Sequence, residues 1–161
     1  MSATPNPNRI DQTPVRLSTN LSIDRQTPKT DFGNPLSTTS YQFCIWDETA
    51  GDPRLAASYT IPAGGTCGTQ PCWKENSSGF KYSDKLHSSF GISALTLKQG
   101  LLPGKTKIIL AGKGQNLPLP VMPFVQGPNV VMQLTSSDGI CWVSRYAQPA
   151  ARNQPDQFRD K

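Results

Sequence analysis

Histidine is almost missing from this chain, and its scarcity narrows the chemistry at once. His87 is the only one, so a Ser-His-Asp triad would have to be built on it. No Gly-x-Ser-x-Gly elbow accompanies it, and it falls in the least patterned stretch, where a plain surface histidine is the better reading. Glutamate is nearly as rare, with only Glu48 and Glu75, so paired carboxylates for glycoside hydrolysis would have to draw on aspartates. Asp47, Asp52, Asp84 and Asp138 fall in turn-like segments, where bonding to nearby backbone accounts for them. A calcium ion held by Asp47, Glu48 and Asp52 would lack most of the six or more oxygens it needs. Gly112-Lys113-Gly114 lacks the Gly-Lys-Ser/Thr ending and following helix of a phosphate loop. The expectation is a protein that is not an enzyme and uses no cofactor or metal.

Long apolar runs are missing too. Nothing approaches the ~18 residues of a membrane span, and residues 1–20 contain no apolar core of an export signal. Charged residues make up only 17% of the chain, with a net charge of +5 and a pI near 9.2. The lysines and arginines never run three together and no amphipathic helix gathers them, so the footprint of a specific nucleic-acid binder is absent. A mild cationic excess fits solubility or loose attraction to anionic surfaces.

What is present is β structure. The 161 residues suit one domain with extensions. Hydrophobic residues are 35%, with fifteen prolines and thirteen glycines mostly outside the apolar runs. Asn129–Tyr146 reads as a hairpin: Val130, Met132 and Leu134 alternate with their neighbours, Ser136-Ser137-Asp138-Gly139 turns the chain, and Ile140 to Tyr146 alternates again. Val15–Ile23, Tyr41–Trp46, Leu55–Ile61, Leu95–Lys98 and Thr106–Gly112 read as further strands. Cys72–Glu75 and Gly79–Tyr82 form a second hairpin around Asn76-Ser77-Ser78. Residues 24–40 are a long connection and 86–94 hold at most one helical turn. Leu117–Pro120, with alternate prolines, is extended or an edge. About eight or nine short strands with frequent turn signals predict an all-β fold, an antiparallel β-sandwich. The sandwich spans residues 15–146, with an extended arm at 1–14 and a polar tail at 147–161.

Four cysteines allow three pairings. An even count in a thin core favours disulfides and an oxidising compartment. The favoured set is Cys67–Cys72, closing a small loop, and Cys44–Cys141, joining two distant strands beside Trp46 and Trp142. That second bridge, packed on aromatics, gives the expected sandwich an immunoglobulin-like architecture. Zinc is the weaker alternative, because Cys-x4-Cys is wide for a knuckle and Cys44 and Cys141 have no close second ligand.

The ordered set FCIWDET, IPAGGTC…PCW, GFKYSDK, GKTKIILAGKGQNLPLP, SSDGICW and QFRDK resembles a module recurring in secreted and cell-surface proteins of delta-proteobacterial type and of environmental bacteria. The resemblance covers roughly residues 41–161. It implies a β fold, disulfides and export, and it supplies no catalytic residues.

For binding, the best candidate is aromatic. Trp73, Phe80 and Tyr82 on the second hairpin, with Lys74 and Lys81 interleaved, form a platform for a sugar ring or protein if exposed, and core if turned inward. The expected role is a secreted or cell-surface structural and interaction module that self-associates or joins a larger assembly through its terminal arms. A carbohydrate-binding module using the platform is the alternative.

Overall fold

The computed structural model describes residues 16–113, 116–118, 120–154 and 157–159. The expected arm at 1–14 lies outside them, as does part of the carboxy-terminal tail. Thirteen strands follow one another: β1 (Arg16–Ile23), β2 (Tyr41–Thr49), β3 (Asp52–Ile61), β4 (Thr66–Cys67), β5 (Gln70–Pro71), β6 (Trp73–Asn76), β7 (Gly79–Ser83), β8 (Ile92–Lys98), β9 (Thr106–Lys113), β10 (Asn129–Ser136), β11 (Cys141–Ala147), β12 (Arg152–Gln154) and β13 (Gln157–Arg159). Strand accounts for 56% of the described residues, with a single 3-10 turn at Lys29–Phe32 and no α-helix among them.

Two antiparallel sheets carry the fold. One has the order β1-β9-β8-β7-β6 and the other β11-β10-β2-β3. Period-two alternation gives each strand one apolar face, and both apolar faces contribute to one core. Leu21, Tyr82, Leu95, Leu97, Ile108 and Leu110 come from the five-stranded sheet; Tyr41, Phe43, Ile45, Tyr59, Met132, Leu134 and Trp142 come from the four-stranded one. The edges β1 and β11 are joined along one side of the sandwich. The Ser22 N–H donates to Ser144 Oγ at 3.2 Å, and the Tyr146 hydroxyl to the Asn20 carbonyl at 2.9 Å.

The Asn129–Tyr146 hairpin forms as its pattern requires. Val130 faces Tyr146, Leu134 faces Trp142, and Thr135 faces Cys141. Gly139 has φ +88°, a conformation that glycine adopts freely at the turn. Ser136 closes it, with the Ile140 N–H donating to its Oγ at 3.1 Å. Trp142 lies inside, its ring 5.3 Å from Phe32 and capped by the Arg25 guanidinium 5.9 Å from the centroid. Phe32 reaches it from the long connection, where the Tyr41 hydroxyl donates to the Phe32 carbonyl.

The polar tail forms a hairpin after residue 147: β12 pairs with β13. Asn153 also clamps the chain before β10. Its Nδ2 donates to the Phe124 carbonyl at 2.8 Å, and its Oδ1 accepts the Phe124 N–H at 2.9 Å. Residues 86–94 are turns followed by the start of β8, without a helix.

One expectation is corrected, the Cys44–Cys141 bridge. Only Cys67 and Cys72 are joined; Cys44 and Cys141 are free. Both sit on the outer face of the same sheet with β10 between them. Cys44 lies opposite Gln133, Gln133 opposite Val143, and Cys141 two residues further along. Two strand spacings and that offset separate them by roughly 12 Å, beyond the ~7 Å a disulfide can span. Trp46 and Trp142 accordingly lie on opposite faces of the sheet. With no bridge between sheets, the feature that suggested an immunoglobulin-like architecture is gone.

Candidate functional site

The hairpin β6–β7 places Trp73 directly opposite Tyr82, and Glu75 opposite Phe80. These positions share the face that packs on the other sheet. Trp73 is 3% exposed, Phe80 5% and Tyr82 0%. The Trp73 ring lies 5.5 Å from Tyr41 and 5.3 Å, edge-on, from Tyr82. Its indole N–H donates to the Pro62 carbonyl at 2.8 Å. Lys29 covers the one rim that reaches solvent, 5.2 Å from the Phe80 centroid, and pairs with Glu75 at 2.6 Å. The expected platform of Trp73, Phe80 and Tyr82 is therefore core, and Lys74 and Lys81 point away from it on the outer face. The physical reason is plain: three rings on one face of a hairpin bury more apolar area inward than any other residues nearby.

The carboxylates are occupied structurally. Asp47 is buried where β2 meets β3. Arg54 donates to it from Nε at 3.0 Å and from Nη2 at 2.7 Å, and the Val125 N–H adds a bond at 3.3 Å. The Arg54 guanidinium holds the Asp47 carboxyl below the usual carboxylate range, against the upward push of burial. Glu48 accepts both the backbone and side-chain N–H of Asn129 at 2.9 Å. Asp52 is exposed at the turn. These groups fasten residues 125–129 to the end of β2 and do not converge on a cation. Among the described residues no group of three His, Cys, Asp or Glu side chains is placed to hold a metal.

His87 sits in the loop between β7 and β8, two positions after Ser-Asp-Lys begins it. Asp84 Oδ1 accepts the Leu86 N–H at 2.9 Å, while Oδ2 accepts the Ser88 N–H at 2.8 Å and the Ser88 hydroxyl at 2.6 Å. Burial pushes the Asp84 carboxyl up, and the hydrogen bonds from Ser88, Leu86 and Ser89 outweigh it, leaving it below the ordinary value. This aspartate organises a loop and does not orient the histidine.

What the fold leaves facing solvent is two sheet surfaces. On the outer face of the four-stranded sheet, Leu55, Trp46, Val131 and Arg145 lie in one row across four strands, with Leu55 and Arg145 exposed, Trp46 half-buried and Val131 buried. The next row is Ser58, Cys44, Gln133 and Val143. A bulge between Ile45 and Trp46 sets Leu55 opposite Trp46 and displaces Ala56. Leu55 is 48% exposed and Val143 40%. β3 is the outermost strand of this sheet. The row across four strands emerges only from the register. No family model, no curated protein and no solved structure matches this chain.

Proposed function

We propose that this chain is an exported, non-catalytic interaction module that takes its place in a larger assembly by associating with further copies of itself or with another protein. The observation that carries this reading is the pair of exposed apolar side chains Leu55 and Val143, with half-buried Trp46 beside Leu55, on an outer sheet face that includes the edge strand β3. An edge strand can accept an extended arm from a neighbour through main-chain hydrogen bonds. The Cys67–Cys72 disulfide and the resemblance to modules of exported bacterial proteins support an oxidising, extracellular setting.

Light scattering over a range of concentrations tests the reading. The expected result is reversible association, weakened by Leu55→Glu and by removal of residues 1–14. A chain that stays monomeric at every concentration, with no change on either alteration, refutes self-association by this face and its arm.

A further inference from the structure

The outer face of the five-stranded sheet has a different character. Its outward positions include Lys74 on β6, Lys81 on β7, Lys98 on β8, and Lys107 and Lys113 on β9, all exposed. Lys74 lies directly opposite Lys81, Lys98 opposite Lys107, and Arg16 is paired in register with Lys113. Like charges set opposite each other repel and weaken a sheet. The positions between them are Ser18, Asn20, Ser22, Ser83, Ala94, Thr96, Ile109 and Ala111, so no carboxylate on the strands' outer face relieves the repulsion. Asp24, the nearest acid in sequence, lies just past the end of β1, and Glu75 faces the other way, against Lys29. The five lysines alone equal the net charge of the whole chain, +5. A surface that concentrates cations at a cost to folding fits an anionic partner.

A second feature says which kind. The β8–β9 loop follows Lys98 and leads to Lys105 and Lys107. Its tip, Leu101-Leu102, is 62% and 61% exposed. The tip is held rigidly outward. Thr27 and Gly100 exchange backbone hydrogen bonds at 2.9 and 3.0 Å, the Gly104 N–H donates to the Ile23 carbonyl at 3.0 Å, and Lys105 closes the turn on the Leu102 carbonyl at 3.1 Å. Gly100 admits no side chain, since a Cβ there would lie 2.1 Å from the Thr106 nitrogen. Two adjacent leucines ringed by lysines gain nothing from a soluble polyanion. They gain from entering the acyl boundary beneath anionic headgroups. The face also presents no aromatic ring on which the bases of single-stranded nucleic acid could stack.

We propose that the Leu101-Leu102 tip and the adjoining lysine rows, Lys98–Lys107 and Lys74–Lys81, dock on an anionic lipid surface. The lysines approach the headgroups and the leucines enter below them. This surface is separate from the exposed apolar side chains on the other sheet, and the proposal does not rest on them.

The test is sedimentation of the full chain with vesicles of phosphatidylcholine alone and of phosphatidylcholine with phosphatidylserine, at near-physiological salt. Binding to the anionic vesicles alone is expected, falling about five-fold for each lysine replaced by a neutral residue. The double variant Leu101→Ser, Leu102→Ser keeps the fold, because both side chains are exposed, and loses most of the binding. The double variant Lys81→Glu, Lys98→Glu makes both cross-strand pairs oppositely charged, so it melts no lower than the wild type yet no longer sediments. Failure of the wild type to sediment with anionic vesicles overturns the proposal. So does binding that the leucine variant leaves intact and that duplex DNA or dextran sulfate competes away, because the face then serves a soluble polyanion.

Discussion

Replacing Trp73 with alanine distinguishes a core tryptophan from a binding platform more sharply than any ligand screen. Trp73 is 3% exposed, packed tilted against Tyr41 and edge-on to Tyr82, and hydrogen-bonded to the Pro62 carbonyl. Truncating a buried tryptophan removes its transfer free energy and leaves a cavity, together about 3–5 kcal/mol. The aromatic contacts are part of that figure, at about 0.5–1.5 kcal/mol each. The Pro62 carbonyl, left without its donor, adds about 1 kcal/mol or more. The expected loss is therefore about 4–6 kcal/mol, a large share of the ~5–15 kcal/mol by which a domain is stable. Trp73→Phe keeps most of the apolar volume and loses the hydrogen bond, so about 1–3 kcal/mol is expected. Lys74→Ala, the next residue on the opposite face, should stay within about 0.5 kcal/mol. Urea unfolding with the disulfide intact reads these differences as shifts in midpoint at constant slope. If Trp73→Ala costs less than about 1 kcal/mol, the ring is not core and the assignment of that face is wrong.

Acid stability should depend on Asp47. Its carboxyl titrates below the usual range in the fold because of Arg54, so its contribution is present above the unfolded value of ~3.9 and is lost as the pH falls through the folded value. Asp84 contributes with the same sign, and Asp47→Asn should flatten the acid limb of a stability–pH curve; an unchanged limb refutes the role. Without reductant, a maleimide should label the two free thiols, Cys44 and Cys141, and spare Cys67 and Cys72. Replacing both bridged cysteines with serine should cost about 2 kcal/mol, the closure entropy of so short a loop, and labelling of all four thiols in the untreated chain would overturn the pairing. Gly33→Ala should destabilise strongly, by more than about 1 kcal/mol. Its φ is +72°, and a Cβ would lie 2.2 Å from Asp138 Oδ2 and 2.4 Å from Thr39 Oγ1, atoms bonded to each other at 2.6 Å. A variant that melts with the wild type would show that the loop relaxes freely.

The strands were legible where alternation was clean and turns carried glycine or asparagine. Val130, Met132 and Leu134 face inward, and Trp142, Ser144 and Tyr146 do so opposite them. Boundaries were less legible: the strands expected at Tyr41–Trp46 and Leu55–Ile61 run on to Thr49 and begin at Asp52, because Pro53 is tolerated on an outermost strand. The tail hairpin carried little apolar signal, and Asn153 ties it to Phe124 through hydrogen bonds. For the candidate surfaces, the sequence contained every residue and none of the neighbourhoods. Lysines that look scattered at 74, 81, 98, 107 and 113 become one face through three registers.

The sequence by itself therefore determined where the longer strands lie and which residues of each share a face, and it favoured Cys67 and Cys72 as the closure of a small loop. These follow from short-range causes: the two-residue period of the extended chain, the backbone freedom of turn residues, and the reach of a disulfide. Only the tertiary structure decided which face of each strand turns inward, and so made Trp73, Phe80 and Tyr82 core. It alone put Cys44 and Cys141 on one sheet with a strand between them, and it alone gathered the lysines. A period of two shows that a strand's faces differ. Which strands become neighbours, and in what register, is settled when both sheets bury their apolar faces against each other at once.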